Sequence, residues 1–214
     1  MEKHDGGALA SPVHLTERSA AKAQRREAML SAAAELFAEH GYNGVSIEDL
    51  GAATGVSGPA VYRHFAGKQA VLGALLVDVS VGLLDGARAV VSRALDASET
   101  LRELVRFQVA FALDNAAVIR VQDRDLNALS EDDVKEVKSL QRAYVDVWVD
   151  ALVQLFPGTE RGQMRQRAQA VFGLINSTPH TLHRRQRGSE SAAGRQLGEM
   201  LTSMAYAALS APVS

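Results

Sequence analysis

Tyr62, Arg63 and His64 stand side by side in this 214-residue chain, and Lys68 follows close behind. A phenol, a guanidinium, an imidazole and an ammonium have one chemistry in common: each can donate a hydrogen bond to anionic oxygen, and phosphate suits all four. Arg63 adds a second capacity, because its fork of donors matches O6 and N7 of guanine, and no other guanidinium lies between residues 45 and 65. Ahead of them Ser57, Gly58, Pro59 and Ala60 are all small, so a backbone carrying them can approach the floor of a DNA major groove. Taken singly these side chains have plainer readings: a packing ring for Tyr62, a surface imidazole for His64, a solvated charge for Lys68. Their joint spacing favours the nucleic-acid reading.

Other chemistry is thinly seeded. His180 and His183 would share one face of a helix, and Arg184, Arg185 and Arg187 follow directly. With no cysteine in the chain and no carboxylate beside it, the histidine pair makes a poor metal site. The arginines read either as a solvated basic turn or as an anion-binding mouth for an effector. Asp123-Arg124-Asp125 reads as a salt-bridged surface network. No GxGxxG after a strand, Walker loop, GxSxG or HExxH occurs, so no catalytic residue, metal or cofactor is expected.

The elements that must position Tyr62 to Lys68 are two short helices around a glycine turn. Ser46 can cap the first, with Asp49 as its capping-box partner, and Ile47, Leu50 and Ala53 then share a face. Gly55 supplies the positive φ that ends this helix, and Val56 plugs the turn into the core. Ser57 caps the second helix, where Pro59 falls in the first turn and is tolerated. Val61 and Phe65 point inward, leaving Ala60, Tyr62, Arg63 and His64 on flanking or outward positions. That order is a helix-turn-helix.

Residues 25–72 resemble the DNA-binding domain of the TetR family of transcriptional regulators. The likeness is carried by Phe37-Ala38-Glu39-His40-Gly41-Tyr42, Ser46-Ile47, Gly55-Val56-Ser57, Val61-Tyr62-Arg63-His64-Phe65 and Lys68. The chain departs from the family pattern at Ser46, where many members carry threonine, and at Asp49-Leu50-Gly51. The resemblance implies DNA-facing roles for Ser46, Ser57, Gly58, Pro59, Ala60, Tyr62, Arg63, His64 and Lys68. It also implies a double-stranded DNA operator, a small-molecule effector, and a homodimer joined through the last two helices.

Composition agrees with a cytoplasmic, helical protein of this kind. An apolar fraction of 47% suffices for a real core, and the absence of cysteine fits a reducing compartment. The first 20 residues lack the apolar run of a signal peptide and read as a flexible tail. The overall charge is −2, and residues 18–68 hold six Lys or Arg against five Asp or Glu, a net of +1. With so small a basic footprint each protomer neutralises few phosphates, and specificity must rest on geometry and dimer spacing.

The segment 69–95 is apolar on nearly every side, but Asp78, Asp85 and Arg88 interrupt it, so a buried connector helix is expected rather than a membrane span. Ser98-Glu99 is expected to cap the next helix, with Leu101, Leu104, Val105, Gln108 and Ala112 on one face. From Ser130 a long helix carries Val137, Leu140, Tyr144, Trp148, Leu152 and Leu155 as an apolar stripe. The last two helices are expected over 162–177 and 189–209, the latter with Leu197, Leu201, Met204 and Ala208 on one face among many small residues. Candidate effector contacts are Tyr144, Trp148, Phe172, Arg184 and Arg185. Three segments, 123–126, 140–144 and 171–179, also resemble TetR-like regulators of fatty-acid and acyl-CoA catabolism, which implies an acyl-CoA or fatty acid as effector.

The expectation is therefore an all-α protein: a tail over 1–20, a three-helix helix-turn-helix domain over 21–68, and a long helix leading into a helical effector-binding and dimerisation domain over 69–214. Its expected function is ligand-responsive transcriptional regulation, as a repressor of a palindromic operator. The alternatives are an adaptor on the same scaffold that reads no operator, or an enzyme seeded at Asp123-Arg124-Asp125 or the histidine pair.

Overall fold

A computed structural model of the protein describes residues 12–93, 95–177 and 188–212. Every regular element among them is helical: α1 (Pro12–His40), α2 (Ile47–Ala53), α3 (Gly58–Val61), α4 (Lys68–Val91), α5 (Ala97–Asp114), α6 (Ala116–Asp125), α7 (Glu131–Leu155), α8 (Arg161–Asn176) and α9 (Ala192–Ser210), with a 3₁₀ turn over Leu126–Ala128. The all-α expectation holds, and α1 starts at Pro12, inside the stretch expected as a tail.

Two apolar cores organise the helices. One gathers Met29, Ala33 and Phe37 of α1, Ile47 and Leu50 of α2, Val61 and Phe65 around α3, and Leu72, Leu75 and Leu76 of α4. The other gathers Leu101, Leu104 and Val105 of α5, Trp148 and Leu152 of α7, Met164 and Ile175 of α8, and Leu201, Ala205 and Leu209 of α9. The boundary expected at residue 68 falls at the start of α4, yet packing crosses it. Leu84 and Ala87 carry α4 into the second core, while Ala117, Val118 and Val121 of α6 and Val137 of α7 return to the first. Among the described residues α4 is the one helix long and apolar enough to cross a membrane, and its apolar side chains are distributed between these two cores.

Helix starts follow local chemistry, with a correction at α5. The Ser130 hydroxyl accepts from the Asp133 backbone N–H, as its position before an acidic first turn suggests. At α5, Asp96 rather than Ser98 is the cap, its carboxylate accepting from the Glu99 N–H at 2.8 Å. The Ser98 hydroxyl instead lies 2.7 Å from the Tyr206 hydroxyl, tying α5 to α9. On α9 the buried stripe is Gly194, Leu201, Ala205 and Leu209, so Leu201 is the buried member of the four residues expected on one face. Met204 is 47% exposed, and Met200 beside it is 50% exposed.

Gly194 stands in the first turn of α9, beside the turn that leads into it. A Cβ there would lie 1.9 Å from the Gly188 carbonyl oxygen and 2.9 Å from its carbon, both backbone atoms. Gly194→Ala is expected to lower unfolding free energy by roughly 1–3 kcal/mol, as overpacking does. Urea denaturation at fixed protomer concentration checks this, and an unchanged midpoint would show that the turn yields freely.

Candidate nucleic-acid interface and ligand cavity

The helix-turn-helix is closed by hydrogen bonds that the sequence half discloses. The Ser46 hydroxyl accepts from the Asp49 N–H at 3.1 Å and donates to Asp49 Oδ2 at 2.6 Å, while the Ser46 N–H donates to the same oxygen at 2.8 Å. This is a full capping box, and those bonds from Ser46 hold the Asp49 carboxyl below its ordinary range. Gly55 ends α2 with φ of 69°, a left-handed value that suits glycine.

Lys68 has its partners inside the domain. Its ammonium donates to the carbonyls of Tyr42 and Val45, both at 2.8 Å, and lies 4.4 Å from the centroid of the Tyr42 ring. Lys68 thereby fastens the start of α4 to the loop between α1 and α2. Arg26 does similar work from α1, pairing with Asp78 of α4 at 2.5 Å and stacking 5.6 Å from the Phe65 ring.

These partners divide the nine residues named as DNA-facing. Ser57, Pro59, Tyr62 and Arg63 are exposed, Tyr62 at 56%, and Gly58 and Ala60 are half-buried between them. The Ser57 hydroxyl makes no cap bond, so it is free to meet a phosphate. Ser46 and Lys68 are also engaged within the domain: the Ser46 hydroxyl donates to Asp49, and Lys68 keeps a single ammonium N–H beyond its two carbonyls. His64 is intermediate, because its Nδ1 is buried without a hydrogen-bond partner, which leaves Nε2 as the ring nitrogen able to reach outward.

The second site is a cavity of about 190 Å³ in the C-terminal half. Ser80 and Leu83 of α4, Gln108 and Phe111 of α5, and Val118, Ile119 and Gln122 of α6 form one side. Gln141, Tyr144 and Val145 of α7 with Phe172 and Asn176 of α8 form the other. The Tyr144 hydroxyl donates to Gln108 Oε1 at 2.6 Å, and Gln108 Nε2 donates to Asn176 Oδ1 at 3.0 Å. Burial pushes the Tyr144 phenol far above its ordinary range, so it stays neutral.

Of the predicted effector contacts, Tyr144 and Phe172 line the cavity and stack at 5.6 Å between ring centroids. Trp148 does not line it. It is fully buried behind Phe172, edge to face at 4.9 Å, and serves the core. Arg184 and Arg185 lie outside the described residues, as do His180, His183 and Arg187. Gln108 stood on an otherwise apolar stripe, and that contrast was the available signal for the polar lining; Ser80, Gln122, Gln141 and Asn176 gave none.

A bridge joins the two sites. Arg124, near the end of α6, donates to the Phe37 carbonyl at the last turn of α1 and pairs with Asp125 at 2.9 Å. Gln69 Nε2 donates to the Ala128 carbonyl at 2.9 Å, joining α4 to the turn after α6. The expected salt-bridged network at Asp123-Arg124-Asp125 is thus present in part, and it also anchors the DNA-binding core.

Comparison with known proteins agrees with this geometry. Residues 29–75 match the model of bacterial regulatory proteins of the tetR family, and residues 94–184 match the tetracyclin repressor-like C-terminal domain. The chain belongs to the TetR family. It is similar to the HTH-type transcriptional repressor KstR2 of Mycobacterium tuberculosis, 27% identical over 82% of this chain and 88% of that one. The KstR2 of Rhodococcus jostii matches at 27% over 61% of this chain and 65% of that protein. A TetR-family regulator from Bordetella parapertussis superposes with a TM-score of 0.72 at 27% identity, covering 84% of this chain and 93% of that one. The fold is also that of AibR, solved with isovaleryl coenzyme A and operator DNA, at a TM-score of 0.65 and 19% identity over 84% of this chain and 97% of that one. As a TetR-family member the protein is a DNA-binding transcriptional regulator responsive to a ligand.

The division of roles has a direct test. Lys68→Met strips two carbonyls of their donor and is expected to lower the stability of the DNA-free protein by about 1–3 kcal/mol. Arg63→Ala, at an exposed position, is expected to leave stability within about 0.5 kcal/mol while weakening DNA binding. Chemical denaturation and fluorescence anisotropy on labelled DNA separate the two; equal stabilities would place the Lys68 ammonium on the DNA instead.

Proposed function

We propose that this TetR-family protein is a cytoplasmic, non-enzymatic repressor that binds a palindromic operator as a homodimer and is released when an acyl-CoA or fatty acid enters the C-terminal cavity. In this reading Ser57, Gly58, Pro59, Ala60, Tyr62 and Arg63 face the major groove, with His64 Nε2 at its flank and Ser46 and Lys68 holding the frame. The exposed Met200 and Met204 of α9 give the second protomer an apolar face to cover. Two recognition elements would then lie about 34–36 Å apart on B-DNA.

The placement of α6 carries the regulatory part. Val118, Ile119 and Gln122 border the cavity, while Ala117, Val118 and Val121 belong to the DNA-binding core and Arg124 holds the end of α1. A ligand that moves α6 therefore moves α1 and changes the spacing of the two half-sites. At about 190 Å³ the cavity is smaller than the roughly 300–1,000 Å³ usual for ligand sites, so of an acyl-CoA it would take a short acyl group, with the coenzyme outside it.

Selection of operators from random DNA is expected to enrich a palindrome with two half-sites. A saturating acyl-CoA of fitting chain length should then weaken binding about 5- to 150-fold, and a drug-like cation should not. Arg124→Ala is expected to keep ligand binding, followed by calorimetry, while most of the coupling disappears. If neither acyl-CoA nor free fatty acid alters operator affinity, this effector assignment fails.

A further inference from the structure

The cavity between α4, α5, α6, α7 and α8 is polar in an unusual way. Five of its lining side chains bear hydroxyls or amides besides Tyr144, namely Ser80, Gln108, Gln122, Gln141 and Asn176, and none of the described lining residues carries a formal charge. Three of these groups form a directional chain. The Tyr144 hydroxyl gives its proton to Gln108 Oε1, Gln108 Nε2 gives one of its protons to Asn176 Oδ1, and the chain ends on the Asn176 NH₂. Gln108 is only 3% exposed, so its orientation is fixed from both sides.

Counting donors shows what remains. Gln108 has one N–H left and Asn176 has two, whereas the Gln108 carbonyl already accepts from Tyr144 and the Asn176 carbonyl accepts from Gln108. Ser80 has turned its proton to the Leu76 carbonyl at 2.7 Å. Gln122 and Gln141 add amides with no partner among the described residues. The chain itself thus keeps three N–H donors, one on Gln108 and two on Asn176, within walls of Leu83, Phe111, Ile119, Val145 and Phe172. Among the described lining residues no opposite charge would replace the hydration that a carboxylate or ammonium gives up there, which is costly, whereas a ketone or ester carbonyl asks only for the donors present.

We infer that this cavity selects an uncharged apolar group bearing a hydrogen-bond-accepting oxygen, received by Asn176 and the free N–H of Gln108, and that it rejects carboxylates and amines of the same length. The inference rests on the reading of this cavity as the effector site. Of the two effector classes proposed above, the acyl thioester, with its carbonyl on an apolar skeleton, is then preferred over the free fatty acid.

Four probes of equal chain length test it by calorimetry at neutral pH: 2-octanone, 1-octanol, octanoate and octylamine, with 2-methyl-1-octene as the ketone's hydrocarbon isostere. The ketone and alcohol should bind the full-length protein at least tenfold more tightly than the two ions. Asn176→Leu should weaken 2-octanone about tenfold while leaving the alkene unchanged or tighter. Gln141→Leu serves as a second variant, expected to weaken the ketone in the same direction without touching the Tyr144–Gln108–Asn176 chain. Octanoate binding as well as the ketone, equal losses for ketone and alkene in both variants, or no binding by any probe overturns the inference. Operator affinity measured alongside separates the two claims. Ketone binding that obeys these rules yet leaves the operator bound retains the inference and removes the effector reading, whereas release by octanoate alone does the reverse.

Discussion

Leu72 and Leu76 of α4 are fully buried in the DNA-binding core, and Ala87, three to four turns further along the same helix, is fully buried in the other. A continuous helix cannot be displaced at one end without disturbing the other, because close-packed interiors yield by discrete repacking and not by smooth deformation. α6 repeats this arrangement, with Ile119 in one core and Val121 in the other. With Val137 of α7 in the first core and Trp148 in the second, three helices thus belong to both halves at once. That sharing makes a small cavity in one half relevant to the geometry of the other.

The recognition region is held from behind, and this explains its economy of charge. Ser46, Asp49, Lys68 and Arg26 are all engaged within the protein, so little cationic surface is left for phosphate. A net charge of +1 over residues 18–68 says the same. Weak electrostatic attraction shifts the weight of recognition to shape and to the distance between two copies of the element. A framework stiff enough to preserve that distance is then required, and the Lys68 ammonium between two carbonyls is one of its fastenings.

Much of this was legible in the residues because local rules and tertiary packing agreed. Gly55 required a left-handed turn, Ser46 and Asp49 stood at capping-box spacing, and Val61 and Phe65 had to face inward; all are found so. Where two local solutions were close in merit, sequence alone misjudged. Asp96 and Ser98 both suit an N-cap, and the Tyr206 hydroxyl, 108 residues away from Ser98, decided between them. On α9 the many small residues give a weak helical stripe, and packing against α5 and α8 decides which positions are buried. The cavity was the least legible feature, since Tyr144 and Trp148 fall on one stripe and only packing shows that one lines a space while the other fills the core.

The size and the position of the cavity together constrain how regulation works. A ligand that merely filled about 190 Å³ of existing space would stabilise the present arrangement of α6 and α4 without choosing another. Release requires a ligand that fits a second arrangement better, so the effector must exceed the cavity as it stands or draw its polar chain into a new order. The Tyr144–Gln108–Asn176 chain lies across α7, α5 and α8, and Gln122 faces the same space from α6. On the proposed reading, a guest that recruits the spare donors of Gln108 and Asn176 together with the Gln122 amide would pull α6 toward a polar anchor instead of pushing it by bulk. Because Arg124 ties the far end of α6 to the Phe37 carbonyl, that pull would reach α1, and on the proposed reading it would alter the half-site spacing.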